Sequence, residues 1–293
     1  MMVLVNPAAG RGSYKNALGS VLHTLSRGGY QPTVCFTEQP GDATRLAAAA
    51  CTRYERIVCL GGDGTLSDTI NGLMTYPRGD RPLLGYIPMG TANDVAATLN
   101  LARDPVEAAR RIVSGDVHPF DVGTMGDTHY FAYIAAFGAF TDVSYETQPD
   151  AKRTLGHLAY VLHALTQLPK LTSCHARVEC DDDVFEDEFI FGGVTNSTSV
   201  AGLVRLDEEA VSLGDGLFEV LLIRNPRSAS DLSEVVSGVL SRDYNGSFVK
   251  MLQSRRIHFR FDAPVAWTRD GENGGRHQEL LLENRWQAVS LLY

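Results

Sequence analysis

Along the first 120 or so residues, short apolar runs alternate with stretches of helical periodicity. MMVLV at 1–5, TVCFT at 33–37, RIVCL at 56–60 and LLGYI at 83–87 are largely apolar and β-branched, and each runs into a turn rich in Gly, Pro or Asn. That is the pattern of strands buried on both faces. Between and after them, helices are predicted over 13–27, 42–52, 65–75 and 104–114. Strand–helix alternation of this kind predicts an α/β domain whose parallel sheet is covered on both sides. Ligands of such sheets lie outside the carboxyl ends of the strands, so the loops after the strands carry the interest.

After FDVG at 120–123 the rhythm changes. The runs YFAYIAAF, HARVEC, VFEDEFIFGGV, LFEVLLI, RIHFRF, ELLLE and AVSLLY follow with few helical stretches between them, and HARVEC and RIHFRF alternate with period two. Period two marks a sheet with one wet face. The expectation is a parallel-sheet α/β domain over 1–123 followed by a mostly antiparallel β-sandwich domain over 124–293. Helical insertions fall around 151–168 and 228–241, and the final strand either stays in the sandwich or returns to the first domain. No internal repeat or low-complexity tract interrupts the 293 residues, a length that fits two domains.

Composition narrows the class. Hydrophobic residues make up 44% and charged residues 21%, enough for packed cores. Against 26 Lys and Arg stand 35 Asp and Glu, a net charge of −9, which argues against nucleic acid as a partner and leaves any attraction to an anionic membrane local. No apolar run reaches the roughly 20 residues of a membrane span, and the N-terminus lacks the basic and apolar regions of a signal peptide. Five scattered cysteines without a CxxC pair read as reduced, mostly buried thiols, and the expected location is cytoplasmic.

Three strand-end loops carry candidate chemistry. Asn6-Pro7-Ala8-Ala9-Gly10-Arg11-Gly12 follows the first strand, and its small residues let backbone approach a ligand ahead of a helix start. Taken alone, such a loop equally well only joins strand to helix. Gly61-Gly62-Asp63-Gly64-Thr65 follows RIVCL; it leaves almost no side-chain bulk, and Asp63 offers a carboxylate suited to Mg²⁺. It is not a Walker A loop, because no Gly-Lys-Ser/Thr follows. Pro88-Met89-Gly90-Thr91-Ala92-Asn93-Asp94 follows LLGYI, and on this loop alone Asp94 reads as a helix cap. Three such loops on successive parallel strands would converge at one sheet edge, as a nucleotide site requires.

GGDGT, PMGTAND and NPAAG together resemble the diacylglycerol kinase catalytic domain family, which includes soluble bacterial lipid kinases, sphingosine kinase and ceramide kinase. The likeness continues through FDVG, YFAYIAAFGAFTDVSYET, TNS, LGDGLFEVLLI and DGE, so it spans nearly the whole chain. The chain is most similar in these blocks to the soluble bacterial diacylglycerol kinases. GGDGT also occurs in NAD kinases, and PMGTAND with LGDGLFEV favours the lipid branch.

The resemblance implies transfer of the γ-phosphate of ATP to a lipid hydroxyl, most simply that of diacylglycerol, with ATP in a cleft between the α/β domain and a β-sandwich. It implies a nucleotide site lined by Asn6, Pro7, Ala8, Ala9, Gly10, Thr37, Gly61, Gly62, Asp63, Gly64, Thr65, Leu66, Ser67 and Thr91. Asp63 would organise Mg²⁺–ATP through water, Asp94 and Asp121 would join it in a charged network, and Glu272 would be the general base. From the residues alone, Asp270-Gly271-Glu272 reads as a hairpin turn. Ser212, Asp215 and Leu217 match a second, structural metal site, and read otherwise as a Gly-Asp-Gly turn. After GGDGT the chain carries Ser67-Asp68 where many members have Asn or Gly and then Glu. The polar stretch 273–278 is expected to be a mobile turn that tunes acceptor choice.

The resemblance also implies a homodimer and peripheral contact with a membrane surface. For that contact, 154–171 shows leucines at helical spacing between Lys152, Arg153 and Lys170. A helix packed on the β domain explains the same pattern. Two other readings remain at this point: phosphorylation of NAD, a sphingoid base or phosphatidylglycerol, and a catalytically silent nucleotide-binding regulator.

Overall fold

A computed structural model describes residues 1–91, 93–138, 173–197, 199–200, 204–205 and 212–293. The candidate membrane helix at 154–171 with Lys152 and Arg153, the block 130–147 beyond Gly138, and Ala92 lie outside them. The chain divides into two compact units: unit 1 is Met1–Val122, Leu213–Asp215 and Arg285–Tyr293, and unit 2 is Gly123–Ser212 and Gly216–Asn284. Neither unit is continuous in sequence. A simple division at 123/124 therefore misses that 213–215 and 285–293 belong with unit 1, and the end of the last strand returns there.

In unit 1, β1 (Met2–Val5) pairs in parallel with both β2 (Thr33–Phe36) and β3 (Arg56–Gly61), and β3 pairs in parallel with β4 (Leu83–Pro88). The far edge of β4 takes up Leu291 and Leu292 of the final strand, also in parallel. Alternate side chains Val3, Val5, Val58, Leu60, Ile87 and Met89 bury one face under α1 (Tyr14–Arg27), while α2 (Asp42–Ala50) and α3 (Asp63–Leu73) pack against each other over β1 and β3. Two more helices follow β4, α4 (Asp94–Thr98) and α5 (Pro105–Ser114), and α5 packs beside α1. Both faces being covered is why the strands read as unbroken apolar runs rather than alternating ones. Local signals set the helix limits: Asp104 caps α5 by accepting from Glu107 N, Pro105 fills its first position, and Gly115 ends it in a left-handed turn. Helix α3 begins at Asp63, two residues earlier than the pattern predicts, so the carboxylate sits in its first turn.

Unit 2 starts within β5 (Val117–Met125) and contains β6 (His129–Phe131), β7 (Ile134–Gly138), β8 (Cys174–Cys180), β9 (Asp183–Thr195), the short β10 (Ser199–Val200) and β11 (Val204–Arg205), β12 (Phe218–Arg224), helix α6 (Ala229–Ser241), β13 (Val249–Ser254) and β14 (Arg256–Arg269). The last strand, β15, runs over Glu272–Leu292. It joins ELLLE and AVSLLY, which the sequence reads as two strands, into one. Described pairings in unit 2 are antiparallel, including β12 with β13 and β9, β8 with β9 and β14, and β14 with β15. Inward side chains Phe131, Phe137, Val178, Phe189, Phe218, Phe259, Phe261 and Trp267 fill one core with close aromatic pairs, such as Phe137–Trp267 at 5.0 Å. A second core of Ile190, Leu221, Ile223, Val235 and Val239 lies where α6 covers the other side of β7, β9 and β12. Ser228 and Asp231 start α6 with a reciprocal capping box.

All five cysteines are free thiols. Burial pushes the Cys59, Cys174 and Cys180 thiols up to about 12, so they carry almost no thiolate at neutral pH. Iodoacetamide at pH 8 is therefore expected to leave these three unmodified in the folded protein and to label them on addition of denaturant, read by peptide mass mapping. Prompt labelling of Cys59 in native buffer would contradict this core.

Candidate active site

The three strand-end loops meet within unit 1, and glycine is what lets them. A Cβ on Gly10, at φ +56°, would lie 2.1 Å from the carbonyl oxygen of Met89, so the first loop touches the backbone of the third. A Cβ on Gly90 would lie 2.8 Å from the Gly62 Cα, and one on Gly61 would lie 2.6 Å from the Thr65 side chain. Asn6 ties the first loop to the second: its amide donates to Thr65 Oγ1 at 2.8 Å, and its Oδ1 accepts from Ala8 N at 3.0 Å. Pro7, Ala8 and Ala9 complete that turn. Asn93 shapes the third loop from inside, accepting from Gly90 N at 2.8 Å and donating to Gly90 O at 2.9 Å.

Asp63 is the electrostatic centre of this arrangement. Its Oδ2 accepts from Asp94 N at 3.0 Å and its Oδ1 from Val95 N at 3.2 Å. The expected cap of α4 is thus corrected. Asp94 makes no side-chain cap and is itself the first residue of that helix, because Asn93 ahead of it is left-handed (φ 54°) and turned to Gly90. The carboxylate that meets the free amides of α4 comes from Asp63, one strand away. Asp63 also lies in the first turn of α3, whose leading amides lack intrahelical acceptors and whose dipole favours an anion. Glycines at 61, 62 and 64 leave that helix start bare of side chains.

The remaining expected nucleotide residues fall unevenly. Thr65 and Ser67 are buried on α3, Thr91 is exposed, and Thr37 is half-buried where its N–H donates to Val5 O at 3.0 Å. Leu66 belongs to the core: its side chain is fully buried and its N–H is spent on Gly62 O. The turn after Thr37 is shaped by a residue the sequence did not mark, Asp42. Its Oδ2 accepts from Glu38 N and Gln39 N, and Arg45 binds its Oδ1 at 2.8 Å. The Arg45 guanidinium, aided by those two amides, holds the Asp42 carboxyl below the usual carboxylate range.

Asp121, also in unit 1, is fully buried, and its Oδ1 accepts from Gln287 N at 2.6 Å while its own N–H donates to Leu213 O at 2.7 Å. In the turn that follows, Ser212 and Asp215 are exposed, and the Leu217 carbonyl accepts from Asn284 Nδ2 at 3.2 Å. The residues expected to form a second metal site are divided between the units, Asp215 falling in unit 1 and Ser212 and Leu217 in unit 2. Among the described residues there is no cluster of three or more His, Cys, Asp or Glu that would hold a softer metal.

In unit 2, Asp270 and Gly271 (φ 49° and 82°) form a two-residue turn between β14 and β15. Two successive positive φ values at Asp-Gly match the hairpin turn whose twist suits its strands. Glu272 opens β15 opposite Arg269, with its side chain exposed. Residues 273–278, expected as a mobile turn, lie inside β15 and pair with β14 across a bulge near Thr268. Beside Glu272, Asp270 is buried, and its carboxylate accepts from Ala132 N, Tyr133 N and Ile134 N at 2.7, 3.0 and 3.0 Å. Asp-Gly announces the turn in sequence, but nothing announces three amides from 138 residues away.

The sequence profile described as the diacylglycerol kinase catalytic domain matches residues 1–125, and that described as the YegS C-terminal NAD kinase beta sandwich-like domain matches 136–292. A diacylglycerol kinase of Bacillus subtilis is 32% identical over 275 residues, 93% of this chain and 89% of that protein. The chain belongs to the diacylglycerol kinase family. A diacylglycerol kinase of Staphylococcus saprophyticus is 33% identical, covering 94% of this chain and 89% of that one. The crystal structure of a diacylglycerol kinase from Bacillus anthracis superposes with a TM-score of 0.77 at 21% identity, over 100% of this chain and 96% of that one, which speaks to the fold. As a family member the chain is a kinase, and its second half matches the family's β-sandwich.

Two substitutions test the packing. Gly10→Ala must push the first loop off Met89 O and place a side chain at positive φ, so urea unfolding should show a loss of about 1–3 kcal/mol together with weakened ATP binding. Asp270→Ala leaves three amides of the 132–134 turn without their acceptor, and the same measurement should show a loss of at least about 3 kcal/mol. A wild-type unfolding midpoint in either variant would mean that these contacts do not hold the site.

Proposed function

We propose that this protein transfers the γ-phosphoryl group of ATP to the hydroxyl of diacylglycerol, giving phosphatidic acid and ADP. The observation that carries the reading is the convergence of three glycine-bared loops and the α3 N-terminus around Asp63 in a member of this family. Bare amides at a helix start suit the phosphates, because side chains there would hold the nucleotide off the backbone. Asp63 keeps both oxygens on the α4 amides, which fixes the carboxylate so that it acts on the nucleotide through bound water. Mg²⁺ bound with the nucleotide would supply charge neutralisation on the phosphates during transfer.

Glu272 is the proposed base. The lipid hydroxyl oxygen forms the new bond to the γ-phosphorus, the bond from that phosphorus to the β–γ bridging oxygen breaks, and the hydroxyl proton passes to the Glu272 carboxylate. An exposed carboxylate at the start of a strand whose turn is held by Asp270 is open to such a proton. The acceptor would be met at a bilayer surface, because the acyl chains of diacylglycerol hold it in the membrane.

Phosphorylation of a lipid panel in mixed micelles, with NAD as a control acceptor, tests the reading. Labelled phosphatidic acid is expected from the wild type, with rates down at least a hundredfold in Asp63→Asn and Glu272→Gln. Label on NAD alone, or on no acceptor while ATP still binds, would overturn it.

A further inference from the structure

Trp267 lies in β14 with 2% of its surface exposed, yet its indole N–H has no acceptor among the described residues. The ring packs on Phe137 and Phe259, each at 5.0 Å between centroids, and on Phe261 at 6.2 Å, so its apolar body is matched and its polar edge is not. An indole nitrogen can only donate, and a buried donor without an acceptor is destabilising. Phenylalanine, which the surrounding core uses freely, carries no such penalty. Register places this orphan donor beside the proposed base. Trp267 stands opposite Gly275, and Arg269 stands opposite Glu272. Residues opposite each other in a ladder share a face of the sheet, as do residues two apart on one strand, so Trp267 and Glu272 project from the same face. They are two steps apart along the strands, about 7 Å. Gly274 and Gly275 give β15 no side chain there. The His277 ring lies 3.2 Å from where a Gly275 Cβ would be, and its Nε2 donates to Gly274 O at 2.8 Å. All of these residues belong to unit 2.

We propose that the Trp267 indole N–H recognises an ester carbonyl of the acceptor lipid and so selects an acylated glycerol over an alcohol that carries no ester. The inference rests on the proposed reaction and adds to it the residue that reads the acceptor. Diacylglycerol carries its ester carbonyls a few bonds from the free hydroxyl, a separation that fits a donor and a base two strand steps apart. With the hydroxyl at the Glu272 carboxylate, an ester carbonyl meets the indole edge, and an acyl chain runs on against Phe137, Phe259 and Phe261. The bare Gly274–Gly275 stretch is the approach, and the His277 ring is the side chain turned aside. A neutral donor in apolar surroundings suits a neutral carbonyl. An acceptor that lacks the carbonyl leaves the N–H unpaired, and that unpaired group is what discriminates against it.

Dihexanoylglycerol and its ether counterpart dihexylglycerol differ in their carbonyls alone, so calorimetric titration of each into wild type and Trp267→Phe isolates the hydrogen bond. The wild type is expected to bind the ester about tenfold more tightly than the ether. In Trp267→Phe the two affinities should come within about twofold of each other. Loosening of the core by the smaller ring acts on both lipids and cancels in that ratio. The chain has two tryptophans, so in Trp286→Phe the indole emission comes from Trp267 alone, and the ester but not the ether should move it to longer wavelength. Equal affinities in the wild type, an ester preference that survives in Trp267→Phe, or Trp267 emission unmoved by the ester would overturn the proposal and leave the indole to a buried water. The readout is binding, so a protein that shows this preference and phosphorylates no lipid would sink the proposed reaction alone. One that makes phosphatidic acid without the preference would sink this inference alone, and binding of neither lipid would overturn both.

Discussion

Backbone-to-backbone approach between strand-end loops is the constraint on which the rest of unit 1 depends. Gly10 against Met89 O and Gly90 against the Gly62 Cα are contacts at which the first carbon of any side chain would collide, and within the second loop Gly61 leaves no room for one beside Thr65. Their closeness has two effects. It aligns the start of α3 with the other two loops, and it brings Asp63 within reach of the α4 amides, so that one carboxylate joins two helices. Loop chemistry and loop packing are therefore the same residues, and the site cannot be loosened without loosening the domain.

Much of this was legible in the sequence because it is local. Unbroken apolar runs mark strands buried on both faces, and β1 to β4 fall within a residue of where those runs predict them. Asp270-Gly271 announces its turn by the φ values that pair of residues accepts. What the sequence hid is tertiary. Asp94 looks like a cap because it stands where a cap would stand, yet Asp63 does the work across a gap of 31 residues. Residues 273–278 look like a loop because two glycines and polar side chains dominate them, yet pairing with β14 overrides that weak local preference. Asp42 carries no signature, and the Asp-Gly pair gives no hint of what the Asp270 carboxylate binds, because those carboxylates are met largely by backbone amides that every residue possesses.

Unit 2 shows a division of labour between the faces of one antiparallel sheet. The inward face of β8 and β14 supplies Val178, Phe259 and Phe261 to the aromatic core. The outward face carries a ladder in which Glu179 meets Arg177 at 3.0 Å and Arg260 at 2.9 Å, and His258 meets Glu279 at 2.8 Å. Exposed pairs of this kind add little to stability, so the aromatic core, and not the ladder, holds the sheet. The ladder does keep this exposed sheet face charged.

The return of 285–293 to unit 1 has a consequence for how the molecule is made. Leu291 and Leu292 supply the last parallel partner of β4, and Leu292 lies in the same core as Val3 and Val58. A chain emerging from the ribosome thus exposes β4 as an unsatisfied edge throughout synthesis of everything between Pro88 and Ala288. Such an edge invites mispairing with other nascent chains. The α/β half, though first to be translated, is the last to be finished.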